Sequence, residues 1–97
     1  MHKIYSILGI ARKGGNVSIG FDAAKADIEK GKSFLVVIAE DASEKTKKNI
    51  IFTCNKHDCK YMEFGKKEEL GKNLGKEVVS VMSIRDKNLA SYVTNNI

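Results

Sequence analysis

Apolar residues in the first third of the chain recur at helical spacing. Two amphipathic helices are predicted there, because one face of each collects the apolar side chains. The first carries Ile4, Ile7, Leu8 and Ala11, and the second, from Gly20 to Lys30, carries Ala23, Ala24 and Ile28. Glycines that accept a left-handed conformation end both helices. A very short strand over 16–18 is predicted between them.

The rest of the chain alternates continuous or nearly continuous apolar runs with further helical segments. The runs 34–39 and 78–84 are typical of central strands that helices cover on both faces. A shorter strand is predicted over 61–64, and a helix over 65–74. Asp41-Ala42-Ser43-Glu44 reads as a capping box with Asp41 as N-cap, and Asp86 is a candidate N-cap for a last helix. The order α-β-α-β-α-β-α-β-α predicts an α/β domain with a parallel or mixed sheet between helices.

Length and composition restrict the kind of protein. The chain has 97 residues, which suits one domain, and a formal net charge of +5. No apolar run approaches the ~20 residues of a membrane-spanning helix, and no signal peptide is evident. We therefore expect a compact cytoplasmic domain without a membrane partner, and nucleic acid is the first partner to test.

The positive charge of the first 20 residues is not balanced. They contain Lys3, Arg12 and Lys13 and no acidic residue. The basic turn 12–16 leads to the predicted helix start at Gly20, where unpaired N–H groups and the helix dipole suit a phosphate, with Lys25 one turn further along. The alternative is that the glycines only make a tight turn and Lys25 only keeps a surface soluble.

Residues with catalytic or metal-binding potential are few. Cys54, His57 and Cys59 lie close together in the sequence, but a zinc site needs a fourth ligand and the cysteines lack Cys-x-x-Cys spacing. We expect one buried thiol on a helix and one near a strand start, with no disulfide. No catalytic constellation stands out, so we predict a protein that is not an enzyme and needs no cofactor or metal.

Several blocks of sequence resemble the L7Ae and L30e superfamily of kink-turn RNA-binding proteins, particularly its bacterial YlxQ-like branch. They are Leu8–Gly15, Gly20–Gly31, Leu35–Ser43, Phe64–Gly71 and Gly75–Glu77, in an order that spans nearly the whole chain. The resemblance implies a three-layer α-β-α sandwich with a mixed four-stranded sheet. It also implies that residues 1–97 form a single RNA-binding domain, which docks on ribosomal or other kink-turn RNA and acts with ribosomal or translation proteins, and we favour a monomer.

The resemblance assigns the RNA contacts to two segments. Family archetypes read guanine edges with a Gly-x-Asn-Glu-x-x-Lys stretch at the second helix and cover an extruded nucleotide with a later loop. Here Gly20 keeps the glycine, whereas Asp22, Ala23 and Ala26 replace the other three residues. The predicted RNA-binding residues are Arg12, Lys13, Gly20, Phe21, Asp22, Lys25, Lys76, Glu77 and Val78. Phe21 would stack on a base or pack into the core. The three replacements motivate an alternative function, a protein-interaction module that has lost RNA binding.

Overall fold

The computed structural model describes residues 3–97, which contain five helices and four strands in alternation. The helices are α1 (Lys3–Lys13), α2 (Phe21–Glu29), α3 (Glu44–Lys56), α4 (Lys67–Asn73) and α5 (Lys87–Asn95). The strands are β1 (Val17–Ile19), β2 (Leu35–Ile38), β3 (Tyr61–Glu63) and β4 (Val81–Ile84). This order confirms the predicted α/β class. Within the described range, no helix is long and apolar enough to cross a membrane.

The four strands form one mixed sheet in the order β1-β4-β2-β3. Strand β4 is antiparallel to both of its neighbours, whereas β2 and β3 are parallel. The register places Ile19 beside Met82 and Ile38 beside Val81, so β1 and β2 end where β4 begins. We call this end of the strands the upper end of the sheet. The opposite end, where Leu35 pairs with Ile84, is the lower end.

The core lies on both faces of the two central strands. Every residue of β2 and β4 is at most 3% exposed, which explains why β2 is entirely apolar and why Ser83 is the one polar residue of β4. Helix α2 packs beside α3 and α1 packs beside α4, while α5 contacts β4. The mixed four-stranded sheet with helices over both faces confirms the predicted sandwich.

The predicted capping box is wrong in its N-cap. Ser43 is the N-cap of α3, and its hydroxyl accepts a hydrogen bond from the Thr46 amide at 3.1 Å. Asp41 instead accepts from the amide of Lys67 at 2.8 Å, so its carboxylate serves the first turn of α4. The N-cap predicted for α5 is confirmed, because Asp86 accepts from the Leu89 amide at 3.0 Å.

Two apolar residues do not lie where the periodicity places them. Ala23 is exposed on α2 and not inward. The strand predicted over 78–84 begins only at Val81, and Val78 is 52% exposed. The reason is that the amide of Val79 donates to the carbonyl of Lys67 at 3.0 Å, which ties this segment to α4 instead of to the sheet.

Candidate nucleic-acid interface

The N-terminus of α2 lies at the upper end of the sheet. Gly20 is its N-cap with a φ of 103°, a conformation that favours glycine, and its amide donates to the Val81 carbonyl at 2.9 Å. Within the described chain, no side chain caps this helix start. The amides of its first turn and the positive end of the helix dipole therefore match an anion such as a phosphate oxygen.

The α4–β4 loop, residues 74–80, folds back along α4 towards the same end. Gly71 permits this approach, since a Cβ on it would lie 2.7 Å from the carbonyl oxygen of Glu77 and 2.8 Å from the Cα of Val78. The amide of Lys76 donates to the Gly71 carbonyl at 2.8 Å. Lys76, Glu77 and Val78 are held on the surface and all three are exposed.

These two segments adjoin. Val78 and Val81 are three residues apart, so at most about 10 Å separates their Cα atoms. The carbonyl of Val81 in turn accepts the hydrogen bond from the Gly20 amide. We call the surface formed by the α2 start and the α4–β4 loop the upper-end surface. It brings together the predicted residues of both segments, namely Gly20, Phe21, Asp22, Lys25, Lys76, Glu77 and Val78.

The two basic residues that end α1 lie in different surroundings. Arg12 reaches the α4–β4 loop, because a Cβ on Gly75 would lie 3.2 Å from a guanidinium nitrogen of Arg12. Lys13 precedes the turn that enters β1 at the lower end of the sheet. The three residues of β1, about 10 Å of strand, separate this turn from Gly20. Arg12 thus contacts the start of the α4–β4 loop, next to Lys76, and Lys13 is further from this loop and from the α2 start.

The predicted basic residues carry uncompensated charge. Arg12, Lys13, Lys25 and Lys76 are all exposed, and among the residues that the structure describes none of them forms a salt bridge. The salt bridges present there join other residues: Lys47–Glu63, Lys66–Glu40 and Arg85–Asp27. Charges without a protein partner are the ones that remain for a polyanion.

The first turn of α2 offers few side-chain donors. Asp22 and Ala23 are exposed there, and Ala26 is half-buried. A carboxylate accepts hydrogen bonds but donates none, and alanine does neither. The donors at this helix start are therefore the backbone amides, with the Lys25 ammonium one turn along.

Sequence reasoning missed a groove between α2 and α3. It has a volume of about 310 Å³ and is lined by Phe21, Lys25, Phe52 and Lys56, among others. Phe21 is half-buried and packs against the core, whereas its stacking on a base stays a prediction. Phe52 is 68% exposed in the middle of α3. The sequence does contain a signal for this exposure, because helical spacing places Phe52 on the lysine-bearing face of α3, opposite the buried Ile50.

The cysteines lie where the sequence predicts. Cys54 is buried in α3, and Cys59 is half-buried just before β3. His57 is exposed at the C-cap of α3. Within residues 3–97, no group of three or more histidine, cysteine, aspartate or glutamate side chains is arranged to hold a metal ion.

Comparison with known proteins finds relatives by sequence and by fold. The chain is 30% identical over 87 residues to "RNA-binding protein YlxQ" of Bacillus subtilis, covering 90% of this chain and 87% of the relative. It is 31% identical over 98 residues to "Large ribosomal subunit protein eL8" of Cenarchaeum symbiosum, covering 100% and 78%.

Two solved structures share the fold at lower identity. A protein of unknown function from Bacillus halodurans superimposes with a TM-score of 0.92 at 23% identity, covering 98% of this chain and 96% of the other. The Giardia lamblia 15.5kD RNA binding protein gives 0.81 at 20% identity, covering 95% and 82%. The model of the ribosomal protein L7Ae/L30e/S12e/Gadd45 family matches residues 2–93, so this chain belongs to that family, in its YlxQ-like branch.

Proposed function

We propose that this protein binds structured RNA, at a kink-turn or a related internal loop. Its role is non-catalytic and cytoplasmic, in association with the ribosome or with translation proteins. The observation that carries the proposal is the upper-end surface, where an α2 start without a side-chain cap meets the α4–β4 loop. The relatives named as RNA-binding and ribosomal proteins support it.

The phosphate contacts come from the backbone and from unpaired cations. The amides at the start of α2 bind a phosphate oxygen, and the ammonium of Lys25 adds charge next to it. On the other side of the surface, Arg12 and Lys76 approach a second backbone segment of the RNA. Val78, which is 52% exposed, offers its apolar side chain to a nucleotide turned out of the stack.

Base selection at the α2 start is reduced by Asp22. Its exposed carboxylate repels phosphate and donates no hydrogen bond to a base. Asp22→Asn removes the negative charge and adds two donors, so we expect it to tighten binding to kink-turn RNA. A single bidentate base contact is worth about 1–3 kcal/mol, which sets the upper range of the gain.

Salt dependence tests the proposal directly. The affinity for a kink-turn RNA with tandem G·A pairs is measured by gel shift over a series of salt concentrations. The logarithm of the binding constant should fall by roughly 0.7–0.9 per phosphate contacted for each tenfold rise in salt. Lys25→Ala and Lys76→Ala should each weaken binding and flatten the slope by about one such unit. Lys13→Ala should do so less, because the length of β1 separates it from Gly20.

Lys32→Ala is the matched control, since Lys32 is exposed beyond the opposite end of α2. It should leave both affinity and slope close to those of the unaltered protein. Affinity that does not respond to salt, or an equal loss in all four lysine variants, would overturn the proposed surface. Protein purified at low salt without RNA, judged by its 260/280 nm absorbance ratio, would favour the alternative of a protein-interaction module.

A further inference from the structure

Two cysteines are in contact at the lower end of the sheet. Cys54 is 0% exposed in the last turn of α3, and Cys59 follows five residues later at half burial. The amide of Cys59 donates to the Cys54 carbonyl at 2.8 Å, in a helix C-terminal motif that places the side chains of these two positions side by side. Asp58, with a left-handed φ of 54°, turns the chain back between them. The end of the helix thus brings together two thiols that lack Cys-x-x-Cys spacing.

Hydrogen bonds hold the Cys59 sulfur in place. The thiol donates to the hydroxyl oxygen of Ser33 at 3.5 Å and lies 3.5 Å from the Lys60 carbonyl oxygen and 3.7 Å from that of Ser33. The Ser33 hydroxyl also accepts from the Ser83 hydroxyl at 2.8 Å. Interaction with the Cys54 thiol and, to a smaller extent, with the Ser33 hydroxyl lowers the pKa of Cys59 to about 6 despite its burial. The interaction with Cys59, together with burial, raises the pKa of Cys54, so that sulfur stays a thiol.

Solvent reaches one sulfur and not the other. Cys59 lines a cavity of about 350 Å³ whose charged lining residues are Asp58, Lys60 and Lys87. Cys54 is covered completely. An oxidant that enters the cavity therefore meets Cys59 first, with Cys54 behind it as the second sulfur. Reactive cysteines that sense oxidants combine these features: an accessible thiolate and an adjacent resolving thiol.

We propose that Cys54 and Cys59 form a redox-sensitive dithiol that a hydroperoxide converts into an intramolecular disulfide. In the first step the Cys59 thiolate attacks one peroxide oxygen, the O–O bond breaks, and hydroxide or alkoxide leaves, giving a sulfenic acid. In the second step the Cys54 sulfur attacks the Cys59 sulfur, the S–O bond breaks, and water leaves with the Cys54 proton. Both sulfurs are oxidised by one equivalent of peroxide, which is reduced.

The dithiol is independent of the proposed RNA surface. The four residues of β2, about 13 Å of strand, separate the lower end of the sheet from the upper end. The oxidation of Cys59 needs no RNA, and RNA binding needs no disulfide. Each proposal can therefore fail while the other stands.

Peptide mapping of the peroxide-treated full chain tests the proposal. The reduced protein is exposed to hydrogen peroxide, and its mass is measured before and after reduction with dithiothreitol. We expect a loss of two hydrogen atoms, a crosslink between Cys54 and Cys59, and full reversal by the reductant. In Cys54→Ser, the sulfenic acid on Cys59 should persist and be trapped by dimedone. In Cys59→Ser, Cys54 should stay unmodified under the same exposure.

Mapping of the unaltered protein decides the question even if a variant does not fold. A sulfinic acid on Cys59 with Cys54 still a free thiol would overturn the proposal, as would disulfides only between chains. Two free thiols after a peroxide dose that oxidises free cysteine would also overturn it. Oxidation of Cys54 in the Cys59→Ser variant would refute the order of the two steps.

Discussion

Replacing Gly71 with alanine tests the close approach that positions the α4–β4 loop. In the interior of a helix this change normally stabilises by about 0.5–1 kcal/mol, because alanine loses less backbone entropy. Here the new Cβ would lie 2.7 Å from the Glu77 oxygen and 2.8 Å from the Val78 Cα, whereas ordinary contacts begin at 3.4 Å. Both neighbours are backbone atoms, so either the α4–β4 loop or helix α4 itself must move. Overpacking of this kind costs about 1–3 kcal/mol, which exceeds the helix gain.

We therefore expect Gly71→Ala to lower the free energy of unfolding by about 0.5–2 kcal/mol in urea titrations followed by circular dichroism. Gly14→Ala is the matched control, since its Cβ would lie 3.4 Å from the Asn16 side-chain nitrogen and 3.7 Å from the Ala11 carbonyl oxygen, both ordinary contact distances. That variant should stay within about 0.5 kcal/mol of the unaltered protein. A Gly71→Ala protein that is equally stable or more stable would refute the close approach and, with it, the placement of the α4–β4 loop.

Three further outcomes are expected. Ser43→Ala should cost about 1 kcal/mol of unfolding free energy because the Thr46 amide loses its acceptor, whereas Ser43→Thr should cost less in the same urea titration. Arg85→Ala leaves the buried Asp27 carboxylate, 3.6 Å away, without its partner and should cost about 1–3 kcal/mol; the double variant with Asp27→Ala should cost less than the sum of the two single changes. The rate of alkylation of Cys59 by iodoacetamide follows its thiolate, so it should rise through pH 6 and level off above it, not near the pH 8.5 of an ordinary thiol.

The sequence was sufficient for the elements and their order. Strand β2 is apolar on both faces, β4 is so except for Ser83, and α1 collects its apolar residues at helical spacing. The local pattern was therefore enough to predict these strands and this helix. The glycine at position 20 marked the start of α2 for the same local reason. Such features depend on residues a few positions apart, which is the range over which sequence periodicity is informative.

Features that depend on distant contacts or on an unusual backbone conformation were not predictable. Asp41 has the spacing of an N-cap for α3, yet its carboxylate bonds to the amide of Lys67, 26 residues away. Val78 continues an apolar run, yet the neighbouring amide is bound to α4 and leaves Val78 exposed. The contact between Cys54 and Cys59 depends on the left-handed conformation of Asp58, which cannot be predicted from the sequence because residues other than glycine rarely adopt it. In each case a tertiary contact or a strained backbone conformation, and not the local sequence pattern, determines the structure.

The topology explains why the N-terminus of α2, and not that of α3 or α4, is the expected site for an anion. Strands β1, β2 and β3 run in one direction, so the helices that follow them, α2, α3 and α4, all begin at the upper end of the sheet. The starts of α3 and α4 already have side-chain acceptors, Ser43 and Asp41. Among the three, α2 alone begins at a glycine without a side-chain cap in the described chain. Its amides are the ones left for an oxygen from outside the protein, which is a stronger reason to place a phosphate there than net charge alone.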